Sequence, residues 1–195
     1  MGAFPVLETP RLRLRELTLD DASFYRRHFS DPDIVELSAF EAPRDLDAAK
    51  AELLEYCSDL RRENRGIRWG IVHKAIGALI DRARSARIGY DLAQEHRRKG
   101  IMTEALREML RYGFVEMGLN RIEVHADPRN VGSLAVVERL GFVREGVLRQ
   151  TTFFRGSYLD DVCLSLFRRE WEGVAEIRSS RPARRVPRKR KKEDS

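Results

Sequence analysis

One stretch of the chain has residue types and spacing suited to binding an anion. In residues 86–106, ARIGYDLAQEHRRKGIMTEAL, a short apolar strand leads into a basic turn at Gly100 and then into a helix. The backbone N–H groups of residues 98–103 would have no acceptor within the helix, and the helix dipole adds partial positive charge there. A phosphate can satisfy both, and Gly100 would let the backbone approach it closely. An ordinary strand-to-helix turn with a solvated basic edge is the alternative interpretation.

The elements that would position this turn follow from the periodicity of the apolar residues. Strands are predicted over residues 11–17, 68–73, 75–80, 87–92, 121–126, 145–153 and 158–166. Helices are predicted over residues 18–29, 44–64, 100–117 and 130–140, with a loop through Asp31 and Pro32 after the first helix. Asn130 can cap the last of these helices, and Gly156 lies at the turn of a final hairpin. The predicted order is therefore β-α-α-β-β-β-α-β-α-β-β.

Three motifs resemble one enzyme family. Arg97, Gly100 and Met102 fit the R/QxxGxG/A pattern of the GNAT acyltransferases, with Met in place of the last small residue. The flanking IGYDL and MTEAL are similar to the RimJ/RimL-type branch, the ribosomal-protein-alanine N-acetyltransferases and their relatives. LNRIEVHADPRNVGSLAVVERLGF, residues 119–142, and the opening TPRLRLREL resemble the same branch. On these motifs the chain is identified as a member of this family over residues 8–171.

The resemblance implies a fold and a co-substrate. The fold would be the α/β (α+β) GNAT fold, a mixed and mostly antiparallel sheet with helices on both faces. The co-substrate would be acetyl-CoA, with no metal, its pyrophosphate on the basic turn and its pantetheine arm along the backbone near Tyr90 to Leu92. Asn130 would be both helix cap and cofactor contact. The predicted cofactor-binding residues are Tyr90, Asp91, Leu92, Arg97, Arg98, Lys99, Gly100, Ile101, Met102, Thr103 and Asn130.

Acetyl transfer from a thioester to an amine needs a base for the amine and an acid for the thiolate. Many relatives carry a carboxylate where this chain has Arg87, so the base must lie elsewhere. Glu123 is the preferred replacement, because the matching strand position in the N-terminal acetyltransferase branch holds a catalytic Glu. An exposed carboxylate paired with a basic neighbour is the alternative for Glu123. His125 points to the same face of its strand, and Asp91 and Asp127 are weaker options.

Ser133 is the predicted acid. It follows Asn130 by three residues, a spacing that resembles the acid near the sulfur in the family. The tyrosine that some N-terminal acetyltransferases use for this role would fall at Val137. The alternative for Ser133 is a helix-start serine with a local backbone hydrogen bond.

Three functions remain open at this stage. The first is acetylation of a protein N-terminal α-amine, with a ribosomal protein as the acceptor that the resemblance implies. The second is the same chemistry on a small amine such as an antibiotic or a polyamine. The third is a CoA-binding or RNA-docking module without catalysis, suggested by Arg87, by the basic C-terminal tail and by the short connection at residues 81–85.

The net charge of +6 is concentrated at the C-terminal end. Residues 178–195 hold nine Lys or Arg and two acidic residues, whereas the rest of the chain has 28 basic and 29 acidic residues. We therefore expect a GNAT domain over residues 8–171 and a disordered basic tail over residues 172–195. The tail is either a solubilising terminus or a contact with RNA, such as ribosomal RNA, through residues 178–192.

The cysteines and the apolar runs indicate the compartment. Cys57 and Cys163 are 106 positions apart without a CxxC or Cys/His cluster, so both are interpreted as small core residues rather than metal ligands. No secretory signal and no apolar run near the ~20 residues of a membrane helix is present. We expect a cytoplasmic protein without a membrane contact. The oligomeric state stays open, a homodimer being one option.

Overall fold

The computed structural model describes residues 3–55, 67, 69–74, 76–77, 83–84 and 87–179. The strands are β1 (Leu7–Glu8), β2 (Leu12–Glu16), β3 (Trp69–His73), β4 (Ile76–Gly77), β5 (Ala83–Arg84), β6 (Arg87–Ile88), β7 (Arg121–Ala126), β8 (Val143–Phe154) and β9 (Ser157–Phe167). The helices are α1 (Ala22–His28), α2 (Pro32–Ser38), α3 (Leu46–Leu53), α4 (Ile101–Arg111), α5 (Val131–Leu140) and α6 (Arg168–Ser179). None of the described helices has the length and apolar character that a membrane crossing requires.

The described strands form two sheets. One has the order β1-β2-β3-β4, and the other has the order β5-β6-β7-β9-β8. The pairs are antiparallel except for β6 and β7, which run parallel with Arg87 opposite Glu123. Strand β6 ends at Ile88, so the backbone of residues 89–92 continues outside the sheet toward α4. This early end is a correction to the predicted strand over residues 87–92.

Helix α4 packs on the main apolar core. Its buried side chains Met102, Leu106, Met109 and Leu110 follow the predicted helical period. The helix begins after Gly100, which has φ +73°, and a π turn (Tyr112–Glu116) continues it to Gly118, which has φ +69°. The wider π turn changes the helical period, and Met117, which follows it, is exposed.

Helix α2 is a correction to the sequence analysis, which predicted a loop through Asp31 and Pro32. The Asp31 side chain accepts a hydrogen bond of 2.9 Å from the Asp33 N–H, and Pro32 occupies the first helical position. Both are favourable at a helix start. The helix ends at Ala39, which has φ +51°.

The α1, α2 and α3 helices have a small apolar core of their own, separate from the main one. It contains Leu17, Ala22, Tyr25, Phe29, Ile34, Ala49 and Leu53. Ion pairs between exposed or half-exposed side chains join α2 and the residues after it to the larger part of the molecule. They are Asp33 with Arg97 (3.7 Å), Glu36 with Arg129 (2.8 Å) and Glu41 with Arg155 (3.5 Å).

Several predicted bounds agree closely with the structure and others lie outside it. Strand β7 has the predicted bounds, α5 starts after the Asn130 cap, and β8 and β9 form the predicted hairpin around Gly156. The predicted helix over residues 44–64 is observed in part as α3, and its residues 56–64, including Cys57, lie outside the described residues. Most of the predicted strand over residues 75–80 and of the connection at 81–85 also lies outside them. Strand β1 and helix α6 were not predicted. Helix α6 corrects the predicted disordered tail, because residues 172–179 of that tail are helical.

Candidate active site

A cavity of about 550 Å³ lies between α2, the turn before α4 and the start of α5. All but one of the predicted cofactor-binding residues line it: Tyr90, Asp91, Leu92, Arg97, Arg98, Gly100, Ile101, Met102, Thr103 and Asn130. Lys99 is the exception. Its carbonyl oxygen faces away from the cavity and accepts a hydrogen bond of 3.2 Å from Arg11. The fold therefore brings together groups that are up to 40 positions apart in the chain.

The turn before α4 has the backbone shape of an anion site. Arg98 and Gly100 both have positive φ, at +61° and +73°, and the first hydrogen bond of the helix runs from the Glu104 N–H to the Gly100 carbonyl at 3.1 Å. The N–H groups of residues 101–103 consequently have no acceptor within the helix. Alternating backbone shapes of this kind make a concave surface of N–H groups that favours phosphate.

Some side chains of the turn are buried in the protein core, and others lie at the solvent-exposed edge of the first cavity. Ile101 and Met102 are buried, so they can offer a ligand only their backbone N–H groups. Arg97 donates from Nε to the Leu92 carbonyl at 3.2 Å and lies 3.7 Å from the Asp33 carboxylate. Arg98 is exposed at the rim. Positive charge is therefore available on the solvent side of the turn, next to an acidic residue of α2.

A second cavity, of about 440 Å³, adjoins the first. Its walls come from the end of α2, from β6 and β7, and from the β8–β9 hairpin. The two cavities share five lining residues, namely Leu37, Tyr90, Asp91, Asn130 and Ser133. A donor bound in the first cavity and an acceptor bound in the second would meet at these residues.

Ser133 and Tyr90 are hydrogen-bonded to each other at this junction. The Ser133 hydroxyl donates to the Tyr90 phenol oxygen at 2.7 Å, and the phenol donates to the Ser133 carbonyl at 3.0 Å. Burial is the main cause that raises the pKa of Tyr90 to about 12. Asn130 holds the serine in place, because its side-chain oxygen accepts from the Ser133 N–H at 3.1 Å. The predicted cap is confirmed, whereas the contact with Tyr90 was not predicted.

Glu123 is held by an arginine. Its Oε1 accepts from Arg121 at 2.7 Å, and its Oε2 lies 3.5 Å from Nε2 of His125. The hydrogen bond from Arg121 lowers the pKa of Glu123 below its ordinary value, and the charges of Arg121, His125 and Arg87 act in the same direction. His125 lines the second cavity, and Glu123 lies behind it. This is the pairing that the alternative interpretation anticipated, and the catalytic role of Glu123 stays a prediction.

The other acidic residues of the second cavity differ in their partners. Asp127 is buried and lies 2.6 Å from Arg129, whose hydrogen bond lowers the pKa of that carboxyl. Asp91 lines both cavities. Asp161 of β9 accepts a hydrogen bond of 2.8 Å from Thr152, and the sequence analysis did not single it out. The predicted hairpin around Gly156 could have indicated this contact, because pairing of its two strands brings Asp161 near Thr152.

Three potential metal ligands lie close together on the same face of β7 and β9. The ligand atoms of Glu123, His125 and Cys163 are all within 4.8 Å of one another. His125 and Cys163 are opposite each other in the strand register, so pairing joins groups that are far apart in the chain. Zinc accepts all three ligand types, although Arg121 already holds one oxygen of Glu123. Spacing along the chain, on which the expectation of no metal was based, does not reveal this cluster, because strand pairing creates it.

Comparison with known proteins identifies the family. The model of the acetyltransferase (GNAT) domain matches residues 11–143. The N-acetyltransferase p20 of Bacillus licheniformis, which is uncharacterized, is 34% identical over 176 residues, covering 86% of this chain and 98% of p20. The chain belongs to the GNAT acetyltransferase family. It is an N-acetyltransferase, and GNAT acetyltransferases use acetyl-CoA.

Other relatives support the predicted branch and fold. The [ribosomal protein uS5]-alanine N-acetyltransferase of Escherichia coli is 32% identical over 84 residues, covering 43% of each chain. A crystal structure of an acetyltransferase from T. thermophilus matches with a TM-score of 0.75 and 29% identity, covering 92% of this chain and 98% of the other. Mycobacterium smegmatis RimJ in complex with CoA-disulfide shares the fold, with a TM-score of 0.72, 23% identity and coverage of 85% and 87%. The predicted GNAT fold is confirmed.

Proposed function

We propose that the protein transfers the acetyl group of acetyl-CoA to the N-terminal α-amine of a protein, in a reaction of the ribosomal-protein type. The observation that carries this proposal is the ion pair between Glu123 and Arg121, which lowers the pKa of the preferred base. A weak base suits an acceptor that loses its proton easily. An α-amine has a pKa of about 7.7–8.0 against about 10.4 for lysine, so its deprotonation costs roughly 3.5 kcal/mol less. The uS5-alanine acetyltransferase among the relatives agrees with this acceptor class.

The donor would lie in the first cavity. Its pyrophosphate would accept hydrogen bonds from the N–H groups at the start of α4, with Arg97 and Arg98 at the rim. Its pantetheine arm would follow the backbone of residues 90–92, which lies outside the sheet, and this would direct the thioester toward Ser133. As the C–N bond forms and the C–S bond breaks, the thiolate would take a proton or a hydrogen bond from the Ser133 hydroxyl, which Tyr90 orients.

The acceptor would enter through the second cavity. We propose that the amine proton passes to Glu123, with His125 between them, since His125 lines the cavity and contacts Glu123 at 3.5 Å. Arg87 lines the same cavity. Because it is a cation, the base must come from another strand, and Glu123 of β7 supplies the carboxylate in this proposal. A basic tail would follow α6, which extends to Ser179, and residues 178–192 would contact ribosomal RNA through phosphate.

A small amine is the second candidate acceptor. The second cavity is lined by Asp91, Asp127 and Asp161, and three carboxyl groups around one cavity favour a ligand with more than one positive charge. An aminoglycoside or a polyamine has that character. Arg129 neutralises Asp127, which reduces the acidic excess and ranks this candidate second.

Release of the CoA thiol from acetyl-CoA tests both candidates. The acceptors would be peptides that begin with Ala, Ser or Met, alongside polyamines and aminoglycosides, and the variants would be Glu123→Gln and Ser133→Ala. Turnover on a peptide that both variants lose is the expected result. Turnover only on polyamines or aminoglycosides would move the assignment to the second candidate. Binding of CoA without turnover on any acceptor, ribosomal proteins included, would contradict both.

A further inference from the structure

The opening motif TPRLRLREL contacts the predicted phosphate-binding turn, and nothing in the proposed reaction uses it. Arg11, the first arginine of this motif, reaches the turn from the side opposite the first cavity. Its Nη1 donates to the Lys99 carbonyl at 3.2 Å, and its Nε donates to the Glu104 carboxylate at 2.6 Å. We propose that Arg11 is a positioning residue for acetyl-CoA: it fixes the turn so that its N–H groups face the pyrophosphate.

The carboxylate of Glu104 connects the motif to the first turn of α4. Besides the Arg11 side chain, it accepts from the Thr9 hydroxyl at 2.5 Å and from the Arg11 N–H at 3.1 Å. These hydrogen bonds, with the charge of Arg11, lower the pKa of Glu104, which keeps it ionised. Three donors from the motif therefore converge on one side chain of the helix that begins the phosphate site.

The motif itself is well fixed. The Thr9 hydroxyl accepts from the Leu12 N–H at 2.9 Å, and the Thr9 N–H donates to the Leu12 carbonyl at 2.9 Å. Lys74 of the neighbouring strand connection donates to the Thr9 carbonyl at 2.8 Å. Because β2 pairs with β3 along its whole length, Arg11 extends from a rigid turn at the edge of a sheet. A rigid origin is what a positioning side chain requires.

The hydrogen bond from Arg11 to the Lys99 carbonyl also orients the next N–H group, that of Gly100. The Lys99 carbonyl lies between Arg98 and Gly100, whose φ values of +61° and +73° are both left-handed. Such a backbone is unfavourable for Arg98 and needs support from its surroundings. In a trans peptide the carbonyl and the following N–H point in opposite directions. The hydrogen bond from Arg11 to Lys99 therefore directs the Gly100 N–H away from Arg11, and Gly100 lines the cavity.

The test is calorimetric titration of the full chain with CoA and, by displacement, with pantetheine, which lacks the pyrophosphate. Arg11→Ala should weaken CoA binding about five- to tenfold, the range of one or two lost charge-assisted hydrogen bonds, and leave pantetheine binding unchanged. Arg11→Lys keeps the charge but cannot donate to Lys99 and Glu104 together, so it should also weaken CoA binding. The double variant Arg11→Ala with Glu104→Gln should lose less CoA binding free energy than the sum of the losses in the two single variants.

Arg13→Ala is the matched control, because Arg13 lies two residues further along β2 with its charge paired to Glu8 at 3.4 Å. It should bind both ligands as the unaltered protein does. Three results would overturn the inference: CoA binding unchanged in Arg11→Ala, an equal loss for CoA and pantetheine, or full recovery in Arg11→Lys. The inference rests on the proposed donor site and not on the acceptor. Failure of the unaltered protein to bind CoA would refute that donor site instead.

Discussion

The hydroxyl groups of Tyr90 and Ser133 lie 2.7 Å apart at the junction of the two cavities. They come from segments 43 positions apart, one after β6 and the other in the first turn of α5. A serine hydroxyl alone is a weak acid for a leaving thiolate. If the phenol hydrogen turns from the Ser133 carbonyl to the Ser133 hydroxyl oxygen, the serine can direct its own hydrogen toward the sulfur, so the pair can act together.

Removal of either hydroxyl should lower kcat more than it raises KM for acetyl-CoA. Ser133→Ala loses the direct donor and should lower kcat on the order of 10²-fold, whereas Tyr90→Phe should cause a smaller loss. Steady-state kinetics with a fixed peptide acceptor measure both. Tyr112→Phe is the control, since that ring packs on Trp69 away from both cavities. A rise in KM without a change in kcat would contradict the assignment.

Gly100 and Gly118 allow the two ends of one helical segment to be compared. Their φ values are +73° and +69°, so alanine at either position should destabilise the fold by about 1–2 kcal/mol through the same backbone strain. Only Gly100→Ala should weaken CoA binding, because Gly118 lies far along the helix from the first cavity. Urea unfolding and CoA titration of both variants give the comparison. Equal CoA affinity in the two variants would show that the turn at Gly100 does not bind the cofactor.

In the proposed donor site Asp33 would compete with phosphate for Arg97. The pair is long, at 3.7 Å, and its carboxylate side chain is 61% exposed, so it contributes little stability. Asp33→Asn should release Arg97 for the pyrophosphate and tighten CoA binding about two- to threefold at low salt. Asp47→Asn, in the first turn of α3, is the control: it removes an acidic charge away from Arg97 and should leave CoA affinity unchanged. Weaker binding in Asp33→Asn would mean that Asp33 orients Arg97 for the ligand.

Glu145 should make the stability of the fold sensitive to acid. Arg121 and Ser165 donate to its carboxylate and lower its pKa from an ordinary value of 4.5 to about 2. The folded protein holds the ionised form more strongly than the unfolded chain does. The resulting stabilisation is complete above pH 4.5 and is lost as the pH falls toward 2. Glu145→Gln should therefore lower the free energy of unfolding at pH 7, and by much less near pH 2.5. A difference that is the same at both pH values would refute this linkage.

Local patterns predicted the parts of the fold that depend on local interactions. The Asn130 cap, the start of α4 at Gly100 and the bounds of β7 follow from residues within one or two turns of each position. Helix α2 could also have been predicted, because Asp31 and Pro32 suit a helix start as well as a loop. The π turn after α4 had no sequence signal, since it depends on packing between the helix end and β7.

The site was predictable on the donor side and less so on the acceptor side. The turn at Gly100 is contiguous in sequence, so its residue types and order are visible together. The contacts between Ser133 and Tyr90, and between Arg11 and Lys99, join segments that no local pattern connects. The partner of Glu123 is only two residues away, but strand alternation alone does not say whether Arg121 turns toward Glu123 or toward Glu145. In the structure it contacts both.

Among the described residues, the small core of α1, α2 and α3 shares no buried residue with the main core. Ion pairs of Asp33, Glu36 and Glu41 with Arg97, Arg129 and Arg155 join these helices to the rest of the molecule, so a segment exchanged at residues 18–53 would have to keep the acidic partners. Acceptor preference can thus diverge through substitutions that leave the phosphate turn untouched. A library confined to Ser38 and Ala39, which line the second cavity but not the first, would sample new acceptors on an unchanged donor cavity.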